Sequence, residues 1–129
     1  MPPYLEWFKC FGDSWGDLLE INLDHRHFDG IKGVYVIWSG EEKPKVLKIG
    51  QGVIRERLSQ NKDDPELIKY SQHGLYVTWT IVPESDSDGI EKFLGETLKP
   101  LIESRLPDTQ PVEVNLPWEE SLVFARKWR

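Results

Sequence analysis

Runs of alternating and continuous apolar residues mark three strands along the chain. Gly33-Val34-Tyr35-Val36-Ile37-Trp38 is β-branched and aromatic, and apolar on both alternations, which predicts a strand buried on both faces. Residues 39–44 read as a turn and Lys45-Val46-Leu47-Lys48-Ile49-Gly50 as a second strand, so the two predict a β-hairpin. Residues 75–82 form the clearest strand, closed by Pro83.

Helix-like spacing predicts a short helix over residues 4–11, after Pro2-Pro3, and a weaker one around Trp15, Leu18 and Leu19. Gly52 opens a helix with Ile54 and Leu58 inward and Arg55, Glu56 and Gln60 outward. Residues 65–70 read as a short helical turn, while 24–30 and 85–89 read as polar loops. Ile90, Phe93, Leu94, Leu98, Leu101 and Ile102 predict a long amphipathic helix, kinked or broken near Lys99 by Pro100. Val112 and Val114 suggest an extended segment, and 118–129 a tail helix packing back through Leu122, Val123 and Phe124. The order predicts an α+β domain, a small antiparallel or mixed sheet with helices packed on it.

Composition narrows the setting. A chain of 129 residues suits one domain, taken as 1–129. No run of about 18 apolar residues occurs, so neither a spanning helix nor a membrane partner is expected. Residues 1–6 lack the basic and apolar regions of a secretory signal. The single Cys10 excludes an internal disulfide, and a cytoplasmic location is the expectation. Between Phe8 and Phe11, Cys10 reads as a buried structural thiol. Net charge is −6, against a general nucleic-acid coating role. The charge is uneven: residues 33–82 carry seven basic and six acidic side chains, while both flanks are acidic. A phosphate contact therefore belongs in the middle third.

Four features follow in order: Gly33-Val34-Tyr35, then Lys48-Ile49-Gly50, then Arg57 before Leu58, then Glu91. In that order and spacing the chain resembles the GIY-YIG nuclease superfamily over about residues 33–103. The resemblance implies a three-stranded antiparallel sheet flanked by helices, here with an added N-terminal helix and C-terminal tail. It implies Mg²⁺-dependent endonuclease cleavage of nucleic acid, DNA in the first instance, with Tyr35, Lys48, Arg57 and Glu91 catalytic and Glu91 the metal ligand. Lys48 stands where the family's second motif has tyrosine. Arg55, Gly50, Gly52, Asn61 and Asn115 are the candidate substrate-binding residues. Asn61 stands where many relatives have histidine, and Asn115 is the candidate for the family asparagine. A partner protein or a second copy of the chain would supply targeting.

Physical chemistry makes these residue types apt. Mg²⁺ keeps several waters and takes a carboxylate plus phosphate oxygens. Arginine grips phosphate with a planar fork of donors. Tyr35 could hydrogen-bond or deprotonate a water, and Lys48 could lower the pKa of such a neighbour. Gly50 and Gly52 allow close backbone approach, and the helix start beyond them offers N–H groups to an anion.

Plainer readings stand beside these. Tyr35 could be a core aromatic and Lys48 a solvated strand residue. Helical geometry alone does not separate Arg55 from Arg57. Asp88-Gly89-Ile90-Glu91 fits a capping box, in which Glu91 turns back on its own helix start. His25 and His27 lack further ligands for a metal. Trp38, Trp79 and Trp118 could stack bases or pack in the core. Two alternative functions follow: a catalytically degenerate nucleic-acid-binding module, and a protein-interaction domain using exposed Trp7, Trp15 or Trp128.

Overall fold

The computed structural model describes residues 4–10, 14–102 and 105–118. Four strands form one antiparallel sheet: β1 (Gly16–Asp17), β2 (Lys32–Ser39), β3 (Lys45–Val53) and β4 (Leu75–Ile81), in the order β1-β4-β2-β3. Among the described residues, three α-helices accompany it: α1 (Ile54–Lys62), α2 (Pro65–Ile68) and α3 (Glu84–Leu98). The expected three strands are present, and the two-residue β1 adds a fourth at the β4 edge.

β2 is paired on both sides and buried on both faces, as its unbroken apolar run predicts. Tyr35 and Ile37 point to one face, with Val77 and Trp79 of β4 and with Ile54 and Leu58 of α1. Val34, Val36 and Trp38 point to the other, with Ile90 and Leu94 of α3. The sheet thus separates two hydrophobic clusters. Leu58 and Leu94 are fully buried, and each such burial contributes about 1.5–3 kcal/mol.

Residues 4–9 are not helical. Leu5 and Trp7 join the α3-side cluster, while Phe8 and Cys10 pack against the other. The segment crosses the β4 edge, where the Phe8 N–H donates to the Trp79 carbonyl at 2.9 Å and Thr78 Oγ1 to the Phe8 carbonyl at 2.7 Å. Two-sided burial and edge pairing override helical spacing here. Phe11 lies outside the described residues. The Trp15–Leu19 pattern likewise forms β1 and a turn, with Leu18 buried and Leu19 40% exposed. Trp7 is buried, which removes the basis for an exposed-tryptophan docking surface there, whereas Trp15 is half-buried with its ring edge-on to Trp38. Trp128 and the expected tail helix lie outside the described residues, apart from Trp118, which packs on Trp38.

α3 begins earlier than its apolar residues suggest. Residues 85–89 are helical, with Glu84 and Asp86 in the first turn, where carboxylates complement the helix dipole. Glu91 therefore sits in mid-helix, and the capping-box reading fails. The inward stripe is Ser87, Ile90, Glu91 and Leu94, the i, i+3, i+4, i+7 spacing of a buried face. The helix ends at Leu98, where Lys99 turns left-handed (φ 48°) ahead of Pro100. Leu101 and Ile102 leave the helix and donate backbone N–H bonds to Val46 and Leu47 along β3.

Candidate active site

β2 and β3 place the first residues. Tyr35 lies opposite Gly50, and its phenol covers the space a β-carbon at Gly50 would need. Ile37 lies opposite Lys48, so Lys48 shares the Tyr35 face; a register shift beyond it admits Leu47 to the same cluster. The Lys48 ammonium donates to Asn61 Oδ1 at 2.7 Å and reaches Asp64 Oδ2 at 3.2 Å.

α1 brings Arg57 and Asn61 to the same side, one turn apart. Asn61 is only 3% exposed, and its Nδ2 donates to the Arg57 carbonyl at 2.8 Å. Among the described residues, the Arg57 guanidinium makes one long bond, 3.4 Å, to Gln60 Oε1. Its side chain runs over Gly52, whose φ of 135° favours glycine and where a β-carbon would lie 2.6 Å from Arg57 Nε. Arg55 differs: it donates to the Leu23 and His25 carbonyls and pairs with Asp29 Oδ1 at 2.7 Å, so it ties down the loop before β2. The structure thus separates two arginines that helical geometry could not. The first α1 N–H, at Ile54, donates to the Ile31 carbonyl rather than facing an anion.

α3 contributes Glu91 from the opposite face of the sheet. Gln51 lies opposite Val34 and so points to the α3 side, where its Nε2 donates to Glu91 Oε1 at 2.7 Å and to Asp88 Oδ1 at 2.6 Å. Burial pushes the Glu91 carboxyl above its ordinary value. The Gln51 hydrogen bond opposes that, nearby Asp88 adds to it, and the Arg57 charge pulls it back down.

Tyr35, Lys48, Gly50, Arg57, Asn61 and Glu91 all line one cleft of about 470 Å³ beside β3. Gly50 carries no side chain at the point where groups from the two faces of the sheet meet. Three of the candidate binding residues are placed otherwise. Arg55 is engaged with the 23–29 loop, and Gly52 lies beneath Arg57. Asn115 accepts from the Leu5 N–H through Oδ1 at 2.6 Å and donates to the Leu5 carbonyl at 2.9 Å, so it fastens the N-terminal segment instead of facing the cleft. Asn61 lines the cleft, but its amide is engaged with Lys48 and α1.

Gln51, Asp64 and Arg105 also line the cleft and escaped the sequence reading. Gln51 was legible in part, because it continues the Ile49 face of β3 toward α3. Arg105 carried no signal, since it follows the helix end in an irregular segment. Among the described residues, no group of three or more His, Cys, Asp or Glu side chains gathers to hold a metal ion. Among them, too, no helix is long and apolar enough to cross a membrane.

No protein-family model, curated protein or solved structure matches the chain.

Proposed function

We propose that the chain is a divalent-metal-dependent endonuclease that hydrolyses phosphodiester bonds in nucleic acid, a divergent relative of the GIY-YIG nucleases. One observation carries the reading. Tyr35, Lys48, Arg57 and Glu91, from β2, β3, α1 and α3, line a single cleft. The order strand, hairpin, arginine helix, strand, glutamate helix, with β2 between β4 and β3, supports it.

The donor set suits Mg²⁺ modestly. Such an ion uses one or two carboxylates and keeps waters and phosphate oxygens for the rest, so Glu91, with Asp88 one turn earlier, would hold it. When bound, the ion supplies a Lewis acid for phosphate oxygens and a nucleophilic water near neutral pH. The remaining work belongs to the side chains. Arg57, with its weakly held guanidinium, grips a phosphate oxygen pair, and Arg105 adds charge in the same cleft. Tyr35 projects its hydroxyl over Gly50 and, ionised to the phenolate, would take one proton from the attacking water and return to the phenol. Lys48, steadied by Asn61, presents positive charge in the same cleft. DNA is the first substrate to try, and targeting would come from a partner or a second copy.

Supercoiled plasmid, incubated with Mg²⁺ and purified protein, tests the proposal. Nicking by the wild type and a loss on the order of 100-fold or more in Glu91→Gln are expected, the scale of losing a metal or charge-stabilising group. Equal cleavage by Glu91→Gln overturns the mechanism. The pairing of Lys48 with Asp64 favours a second reading, a binding module without catalysis. Salt-dependent DNA binding with no cleavage by the wild type would select it.

A further inference from the structure

A second cavity, of about 660 Å³, opens at the other edge of the sheet, away from β3. Its inner wall is aromatic. His27 stands edge-on to Phe8 (ring centroids 4.8 Å apart) and to Phe28 (5.0 Å), and Phe28 packs on Trp79 at 5.1 Å. Trp79 Nε1 donates to His27 Nε2 at 3.0 Å. A ring nitrogen that accepts carries no proton, so His27 is neutral here and keeps its proton on Nδ1.

The mouth is acidic. Asp17 and Glu20, both exposed, line it. Asp17 Oδ1 accepts the Leu19 N–H at 3.0 Å, which fixes that carboxylate in place. Lys9 also borders the cavity, and its ammonium lies 4.8 Å over the Trp15 ring. The volume is in the range of small-molecule pockets. The half-buried Phe8 and His27 rings attract cations through their quadrupoles, and the two carboxylates outnumber the one lysine at the mouth, so wall and mouth together favour a cation. They disfavour a phosphate, which separates this cavity from the β3 cleft.

We propose that this pocket binds a small, flat organic cation, its ring against the Phe8–His27 wall and its positive end at Asp17 and Glu20. The inference is independent of the nuclease reading.

Three probes of nearly one shape separate charge from fit: benzamidinium, neutral benzamide and benzoate. Each is titrated into the intact chain while the Trp79 indole N–H and the backbone amides of Phe8 and His27 are followed by ¹H–¹⁵N NMR. Benzamidinium is expected to shift these signals in the millimolar range or below, benzamide more weakly, and benzoate not at all. Glu20→Gln and Asp17→Asn, which keep side-chain size, are each expected to weaken benzamidinium by roughly fivefold, the scale of one partly exposed ion pair. Three results would each overturn the proposal: benzoate binding as well as benzamidinium, benzamidinium leaving these signals still at about 10 mM, or affinity unchanged in both variants.

Discussion

The Lys48 ammonium donates to the amide oxygen of Asn61 at 2.7 Å, and Asn61 is almost wholly buried. This contact joins β3 to the last turn of α1. The same amide donates to the Arg57 carbonyl, so Asn61 is a positioning residue for two cleft residues. Asn61→Ala removes both bonds and leaves Lys48 with Asp64. A loss of about 1–3 kcal/mol is expected, because the charged Lys48 donor loses one of its two partners and a buried polar side chain is emptied. Urea unfolding measures it. A cost near zero would show that the network adds nothing to α1.

Glu91 sits on the inward stripe of α3, and burial raises its carboxyl pKa. A folded pKa above the unfolded value gives stability below about pH 4.5, and that stability is lost as pH rises through the folded pKa. At neutral pH the ionised side chain is therefore a cost. Glu91→Gln, which can still accept from Gln51, is expected to be more stable than wild type at pH 7.5. The gain should shrink as the solution is taken toward pH 4. Denaturant midpoints at the two pH values check it, and a variant less stable at pH 7.5 would contradict the assigned environment. Stabilisation together with lost cleavage is the pattern expected of a residue kept for chemistry.

His27 gives the opposite pH dependence. Burial lowers its pKa, and the nearby His25 lowers it further. A depressed histidine contributes stability above its unfolded pKa of about 6.5, and that stability is lost as pH falls through the folded value. Protonation also ends the acceptor role of Nε2 toward the Trp79 indole. Stability is expected to decline below about pH 6.5, with a shift of the Trp79 indole N–H signal in the same window. His27→Phe should flatten that part of the profile. A profile unchanged by His27→Phe would assign the transition to other groups.

Much of the sheet was legible because strand signals were strong. β2, β3 and β4 follow from β-branched and aromatic runs that both faces of the sheet require. The N-terminal segment misled, because Leu5, Trp7 and Phe8 serve two clusters from an extended chain, and their spacing imitates a helix. α3 misled differently. Ser87 and Glu91 are polar residues on a buried stripe, so the apolar pattern begins late. A carboxylate on that stripe was the signal that the capping reading concealed. Asn115 and Arg55 exchanged imagined ligands for backbone carbonyls and amides, which no spacing reveals. Arg105 reaches the cleft through chain geometry alone.

Gly52 and Arg57 offer the sharpest separation of fold from site. Gly52 has a φ of 135°, where side chains are strained, and an added β-carbon would lie 2.6 Å from Arg57 Nε. Gly52→Ala is therefore expected to cost about 1–3 kcal/mol through backbone strain. It should also push the guanidinium from its path across β3. Arg57→Lys leaves the backbone alone and removes the planar fork. If Arg57 is the phosphate contact, both variants should weaken DNA binding severalfold at moderate salt, while only Gly52→Ala loses stability. A binding titration at two salt concentrations, paired with urea unfolding, reads both. Should Gly52→Ala unfold more easily yet bind DNA as wild type does, Arg57 would revert to a surface residue, and the phosphate would have to be sought at Lys48 and Arg105.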